Sequence, residues 1–178
     1  MPVEEFRPAA GSVRNGRDAY LRANGFSVEA YAARWTPARI LGIPFRVPNT
    51  PRHRWAIMLH DLHHVATGFA TDLAGEAEIS AWECRAGLRP LGLYTAVIVA
   101  GLALLGLLVA PRRTLRAWRV SGRRSLFVLP GPAYDELLAM SVAELRALLR
   151  VPASGLGTGA AGVDAHRAAT PAGEARAG

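Results

Sequence analysis

No lysine occurs anywhere in the 178 residues, and all 21 basic side chains are arginine. This skew is compositional, and no mechanism is read from it. Cysteine is almost as scarce. A single Cys84 excludes an internal disulfide and any multi-cysteine metal cluster, and among helix-forming neighbours it reads as a small buried side chain. Acidic residues are few, 14 against 21 basic ones, so the formal charge is +7 and the isoelectric point about 10.9. Such a balance suits nucleic acid, an anionic ligand or a membrane surface. No zinc-finger spacing and no aromatic RNA-binding signature is present, so nucleic acid is not an expected partner. The first residues, MPVEEFRPAAG, carry acids and no apolar stretch, unlike a secretory signal. A reduced, cytoplasmic setting is expected. No internal repeat is found.

What the chain does have is apolar material: 51% of residues are hydrophobic, enough for one domain with one modest core. Residues 91–110, LGLYTAVIVAGLALLGLLVA, are twenty uncharged and mostly apolar positions, about 30 Å as a helix. Arg89 and Arg112–Arg113 flank it and could snorkel. Six arginines (Arg112, Arg113, Arg116, Arg119, Arg123, Arg124) follow directly. Basic residues beside an apolar segment meet lipid headgroups. Arg112, Arg113, Arg116 and Arg119 are the expected headgroup contacts, at the cytoplasmic face of the cell membrane.

Elsewhere the pattern is helical. SVRNGRDAYLRANGF and SVEAYAARWTPARIL read as short helical pieces broken by Gly25 and Pro37. GIPFRVPNTP reads as extended, because the residue before each proline is pushed out of the helical region. Thr50 as N-cap and Pro51 at the first position start a helix that stops at Gly68. Thr71 can cap a second helix, with Asp72 in its first turn, ending at Gly87. The four-residue link GFAT makes the two an antiparallel hairpin. Ser141 and Glu144 form a capping box, and Met140 can staple to Leu145; Leu145, Leu148 and Leu149 would dock this last helix on the body. The expected fold is all-α: a compact helical domain over 1–151, with this hairpin and one long apolar helix. Residues 152–178 are Gly/Ala-rich, lack large apolar side chains and should be disordered; His166 lies there and is discounted.

Three of the five histidines fall in HDLHHVATGFATDLAGE, residues 60–76. With His60 at the origin of a helical wheel, His64 lies at about 40° and Asp61 at about 100°. His60, Asp61 and His64 thus share one arc, as ligands of one ion require. His63, about 160° from Asp61, cannot join them. A fourth ligand comes from the facing helix, where Asp72, Glu76 and Glu83 share a face. Glu76 is about one turn in, and Gly75 beside it would permit close helix approach. Glu83 lies two turns further, about 10.5 Å along the axis; that is too far for the same ion but near enough to touch a substrate. Two imidazoles and two carboxylates make a site for a divalent metal ion: zinc, iron(II), cobalt or manganese. The zinc-protease pattern HExxH is a poorer fit, since aspartate is a short copy of its general base. Plain hydrogen-bonded structure is the alternative to a metal.

His60, Asp61, His64 and Glu76 read H-D-x-x-H, eleven residues, then E. This resembles the signature of the Coq-four family of ubiquinone-biosynthesis proteins. The flanks agree: RHRW before the motif, Gly68 after it, Gly75–Glu76, Trp82–Glu83, Gly87–Leu88, and later GRRS and YDELLAMSVAELRALLRV. The likeness spans residues 50 to 151, while 1–48 match poorly. It implies a helical fold, a metal on the four named residues, which also serve as the catalytic set, and a place at the membrane near long-tailed quinone precursors. Arg54, in the RHRW flank, and Glu83 are the substrate-binding candidates. The implied reaction is oxidative decarboxylation at C1 of a polyprenylated hydroxybenzoate-type ring, with hydroxyl replacing carboxylate. The implied alternative is a non-catalytic scaffold that binds lipid or quinone precursor and organises other quinone-biosynthesis proteins. The apolar helix would then lie partly in the domain and partly in the bilayer, lining a groove for an isoprenoid tail. A single span and a buried core helix are its other possible settings, and Gly and Ala along it would permit homo-oligomer pairing.

Overall fold

The computed structural model describes residues 11–40 and 43–157. Among these, seven α-helices and one two-stranded sheet are present, in the mostly helical architecture expected. Helix α1, Val13–Ala23, is capped by Ser12. The helical reading of the next segment is only partly right. A short 3-10 helix, Val28–Ala32, gives way to strand β1, Trp35–Ile40, which pairs antiparallel with β2, Ile43–Pro48. Pro37 cannot donate a helical hydrogen bond and pushes Thr36 to extended backbone; Pro44 and Pro48 act likewise on the second strand.

Helix α2, Pro51–Thr67, has the expected limits. Thr50 accepts from the His53 amide at 3.1 Å, and Gly68 closes the helix at φ 73°. Helix α3, Leu73–Ala86, ends at Gly87, but its cap is Asp72, whose Oδ1 accepts from the Gly75 amide at 2.7 Å. Thr71, the expected cap, instead donates its hydroxyl to Asn24 Oδ1 and ties the link to the end of α1. Gly75 is needed for a different close approach from the one expected. A Cβ there would lie 2.1 Å from the Ala70 carbonyl oxygen, so the glycine lets the link fold back on α3 rather than letting two helices meet.

Helix α4, Gly92–Val109, and helix α5, Pro111–Val120, both pack on α3. The tightest point is Gly106, where a Cβ would meet Ala77 Cβ at 2.4 Å and Thr114 Oγ1 at 2.6 Å. Helix α4 buries Thr95, Val99 and Gly106, and leaves Leu93 and Leu108 more than 80% exposed. It is long and apolar enough to cross a membrane. A buried core helix, one of its three possible settings, does not describe it.

Helices α6, Tyr134–Ala139, and α7, Val142–Leu149, close the domain. The Ser141–Glu144 capping box forms as expected, and Leu145 and Leu149 are buried with Leu62, Ile79, Trp82 and Leu138. Residues 152–157, expected to be disordered, fold back onto the end of α2. The Leu156 and Gly157 amides donate to the Thr67 carbonyl at 2.6 and 3.0 Å, and Arg146 reaches Ala153 O. The carbonyl left free where α2 ends supplies the acceptor. Residues 158–178, and His166 with them, lie outside the described residues.

Candidate metal centre

Because α2 and α3 run antiparallel, the start of α3 faces the last turns of α2. Glu76 approaches His60 Nε2 and His64 Nε2, each at 3.4 Å, and the two imidazole nitrogens are 3.2 Å apart. One ligand atom from each of the three residues lies within 4.8 Å of the others, so the group could hold a metal ion. His64 is buried, while His60 and Glu76 are half-buried, which leaves one side open.

Hydrogen bonds outside the trio decide how its nitrogens are protonated. His64 Nδ1 lies 3.0 Å from Phe69 O. A carbonyl can only accept, so His64 donates from Nδ1 and turns its Nε2 inward. The Leu126 amide donates to His63 Nε2 at 2.9 Å, so His63 carries its proton on Nδ1 and donates it to Glu83 Oε1 at 2.7 Å. His60 Nδ1 donates to the same oxygen at 2.8 Å. What converges inside is therefore two imidazole Nε2 atoms and a carboxylate, three acceptors when both rings are neutral. A divalent ion fits such a set. Without an ion, a proton on His60 serves. Burial opposes that charge, but the Glu83 and Glu76 carboxylates raise the His60 pKa well above its ordinary value. Burial also works against ionised Glu76, yet its contacts with His60 and then His64 hold its pKa far below the usual carboxylate range.

Glu83, expected as a substrate contact, faces the histidines of α2. It is fully buried, and it orients His60 and His63 from behind the trio. Burial opposes its ionisation, but the charge of His60 and the hydrogen bonds of both histidines bring its pKa down to about 2. His63 stays out of the trio, as its position on the wheel requires. Burial lowers its pKa and keeps it neutral in spite of Glu83.

Asp61 does not join the converging ligand atoms. Its carboxylate accepts a short hydrogen bond from the Tyr31 hydroxyl, brought over α2 by the 3-10 helix Val28–Ala32. The offset of about 100° from His60 and the short side chain turn it to this neighbouring partner. Burial raises the Asp61 pKa against the pull of His60 and Tyr31. Arg54 sits about four turns from the end of α2, well before His60, with its Nε buried and unpartnered; among the described residues no hydrogen bond or ion pair joins it to the trio. Two tyrosines were missed from sequence. Tyr31 anchors Asp61, and Tyr20 stacks on His64 at 5.1 Å between ring centres. Lone aromatics on remote elements carry no spacing signal that could have found them.

Beside His60 opens a cavity of about 110 Å³ that runs between α2 and α4. Its walls are Ile57, Ile98, Val99, Leu102 and Phe127, so the candidate metal site adjoins an apolar groove on the long apolar helix. Of the arginines expected at headgroups, Arg113 instead pairs with buried Glu78 at 2.7 Å. Arg116 donates to Leu156 O at 2.8 Å. Arg112 and Arg119 are exposed on α5, near exposed Leu115 and Trp118.

Comparisons with protein-family models, curated proteins and solved structures find no match to this chain. The likeness to the Coq-four pattern rests on the motif residues, their flanks and their spacing.

Proposed function

We propose that the chain is a metal-dependent enzyme acting at the cytoplasmic face of a membrane on a polyprenylated hydroxybenzoate-type quinone precursor. Its reaction is oxidative decarboxylation at C1. The bond from the ring to the carboxyl carbon breaks and carbon dioxide leaves, a ring–hydroxyl bond forms with the oxygen of a water molecule, and dioxygen takes up the two electrons and two protons released and leaves as hydrogen peroxide. The observation that carries this reading is that His60 belongs both to the three-acceptor cluster and to the wall of the apolar groove. A polar, charged end and an apolar body of one molecule can therefore be held together.

His60, His64 and Glu76 would hold the ion, as a two-histidine, one-carboxylate set suited to zinc or iron(II) with positions left for other ligands. A bound ion would supply positive charge to a carboxylate or ring oxygen and, where redox-active, a path for electrons to dioxygen. Glu83 and the Phe69 carbonyl fix both imidazoles with their lone pairs inward. The groove walls exclude water and take the apolar tail. The exposed face of α4, with Arg112 and Arg119 on α5, would rest against lipid.

The test is the metal content of detergent-purified protein by mass spectrometry, wild type beside His64→Ala, followed by a precursor labelled in its carboxyl carbon. Wild type is expected to hold one ion per chain and to release labelled carbon dioxide; His64→Ala should do neither. Turnover that survives His64→Ala overturns the proposal. An ion held without any turnover would favour the scaffold reading.

A further inference from the structure

The groove beside His60 has a second polar feature that the metal chemistry does not use. His53, on the first turn of α2, and Ser80, on α3, both line it. His53 is 5% exposed and Ser80 fully buried, yet neither His53 ring nitrogen nor Ser80 Oγ has a hydrogen-bond partner. Buried polar groups are nearly always paired, because each one stripped of water and left alone costs stability. Three such atoms along a groove whose other walls, apart from His60 and Thr95, are apolar point to a partner that arrives with a ligand. Burial, and then the nearby His60, lower the His53 pKa, so its ring is neutral and offers one donor and one acceptor.

We propose that His53 and Ser80 recognise a neutral oxygen function, a hydroxyl or ring carbonyl, on the apolar molecule that occupies this groove. A charged group would be poorly matched at this pair, since neither side chain carries charge and the walls beside it, apart from His60 and Thr95, are apolar. His53 precedes His60 by seven residues, about 10.5 Å along α2. His53 therefore contacts a part of the molecule other than the group held at the trio, and Ser80, one turn beyond Glu76 on α3, lies between the two. The inference rests on the reading of this groove as the ligand's seat, and it requires neither the metal nor the reaction.

The test uses full-length protein in detergent, stripped of metal by chelation so that no hydroxyl can bind an ion. Two probes differing only in one hydroxyl, 2-prenylphenol and prenylbenzene, are titrated calorimetrically. Wild type is expected to bind the phenol about tenfold more tightly, the worth of one good buried hydrogen bond. His53→Phe, which keeps a ring, should bind the two probes equally, and Ser80→Ala should lose part of the preference. Because its hydroxyl has no partner in the empty groove, Ser80→Ala should also melt at or above the wild-type temperature, giving a folded variant whatever happens at His53. Equal binding of both probes by wild type, binding of neither, or a preference that survives His53→Phe and Ser80→Ala overturns the proposal. Since the protein is metal-free throughout, a failed decarboxylation assay leaves this result intact, and the reverse also holds.

Discussion

Single residues separate the ligands of the centre from their neighbours. Asp61 and His64 both belong to the H-D-x-x-H motif, but only His64 directs a ligand atom at Glu76. Asp61→Asn is therefore expected to keep the ion while His64→Ala loses it, as metal content by mass spectrometry would show. Glu83→Gln should weaken metal affinity about 10–100-fold without removing a ligand, because it no longer fixes the His60 ring. Competition with a chromophoric chelator reads that change. The proton on His60 gives a pH signature. In metal-free protein its raised pKa contributes stability that is fully present below the ordinary value of 6.5 and is lost as pH rises through the folded value. A metal ion must displace that proton at low pH and replaces its contribution at high pH. Excess metal should thus raise the melting temperature more at about pH 8 than at about pH 6. An equal shift at both would show that the ion is bound without His60.

At the scale of elements, Gly106 governs how α4 and α5 seat on α3. Gly106→Val would drive a side chain into Ala77 and Thr114, whose atoms already lie closer than a Cβ tolerates. The expected cost is about 1–3 kcal/mol or more, read as a lower urea midpoint. Helix α2 was legible to the residue, because its start and stop are both local chemistry: Thr50, Pro51 and Gly68. The β-hairpin was not. Its first strand lies in a stretch with helix-forming alanines, and cross-strand pairing with β2 decides the outcome. Capping of α3 was displaced by one residue, because Thr71 is drawn to Asn24, forty-seven positions away in sequence.

For the whole molecule, the arginines of the proposed membrane face can be told from one that pairs with a buried carboxylate. Arg112 and Arg119 are exposed on α5, whereas Arg113 neutralises buried Glu78. Arg112→Glu with Arg119→Glu should reduce flotation with anionic vesicles and leave the urea midpoint nearly unchanged. Arg113→Ala should lower the midpoint, since it leaves the Glu78 carboxylate buried and unpaired. If the double variant floats as well as wild type, these two arginines are not the lipid contacts.

The sequence by itself determined what depends on near neighbours along the chain: the limits of α2, the capping box of α7, the length and apolarity of α4, and His60 with His64 on one helical face. Glu76 was also legible, because a short link fixes which part of α3 returns to α2. Only the tertiary structure decided the roles of Asp61, Glu83 and Arg113, and brought Tyr20, Tyr31 and His53 into the picture. Those roles turn on which buried group finds which partner across elements. Helical periodicity fixes the direction of a side chain, but the packed fold determines what waits there to receive its proton or charge.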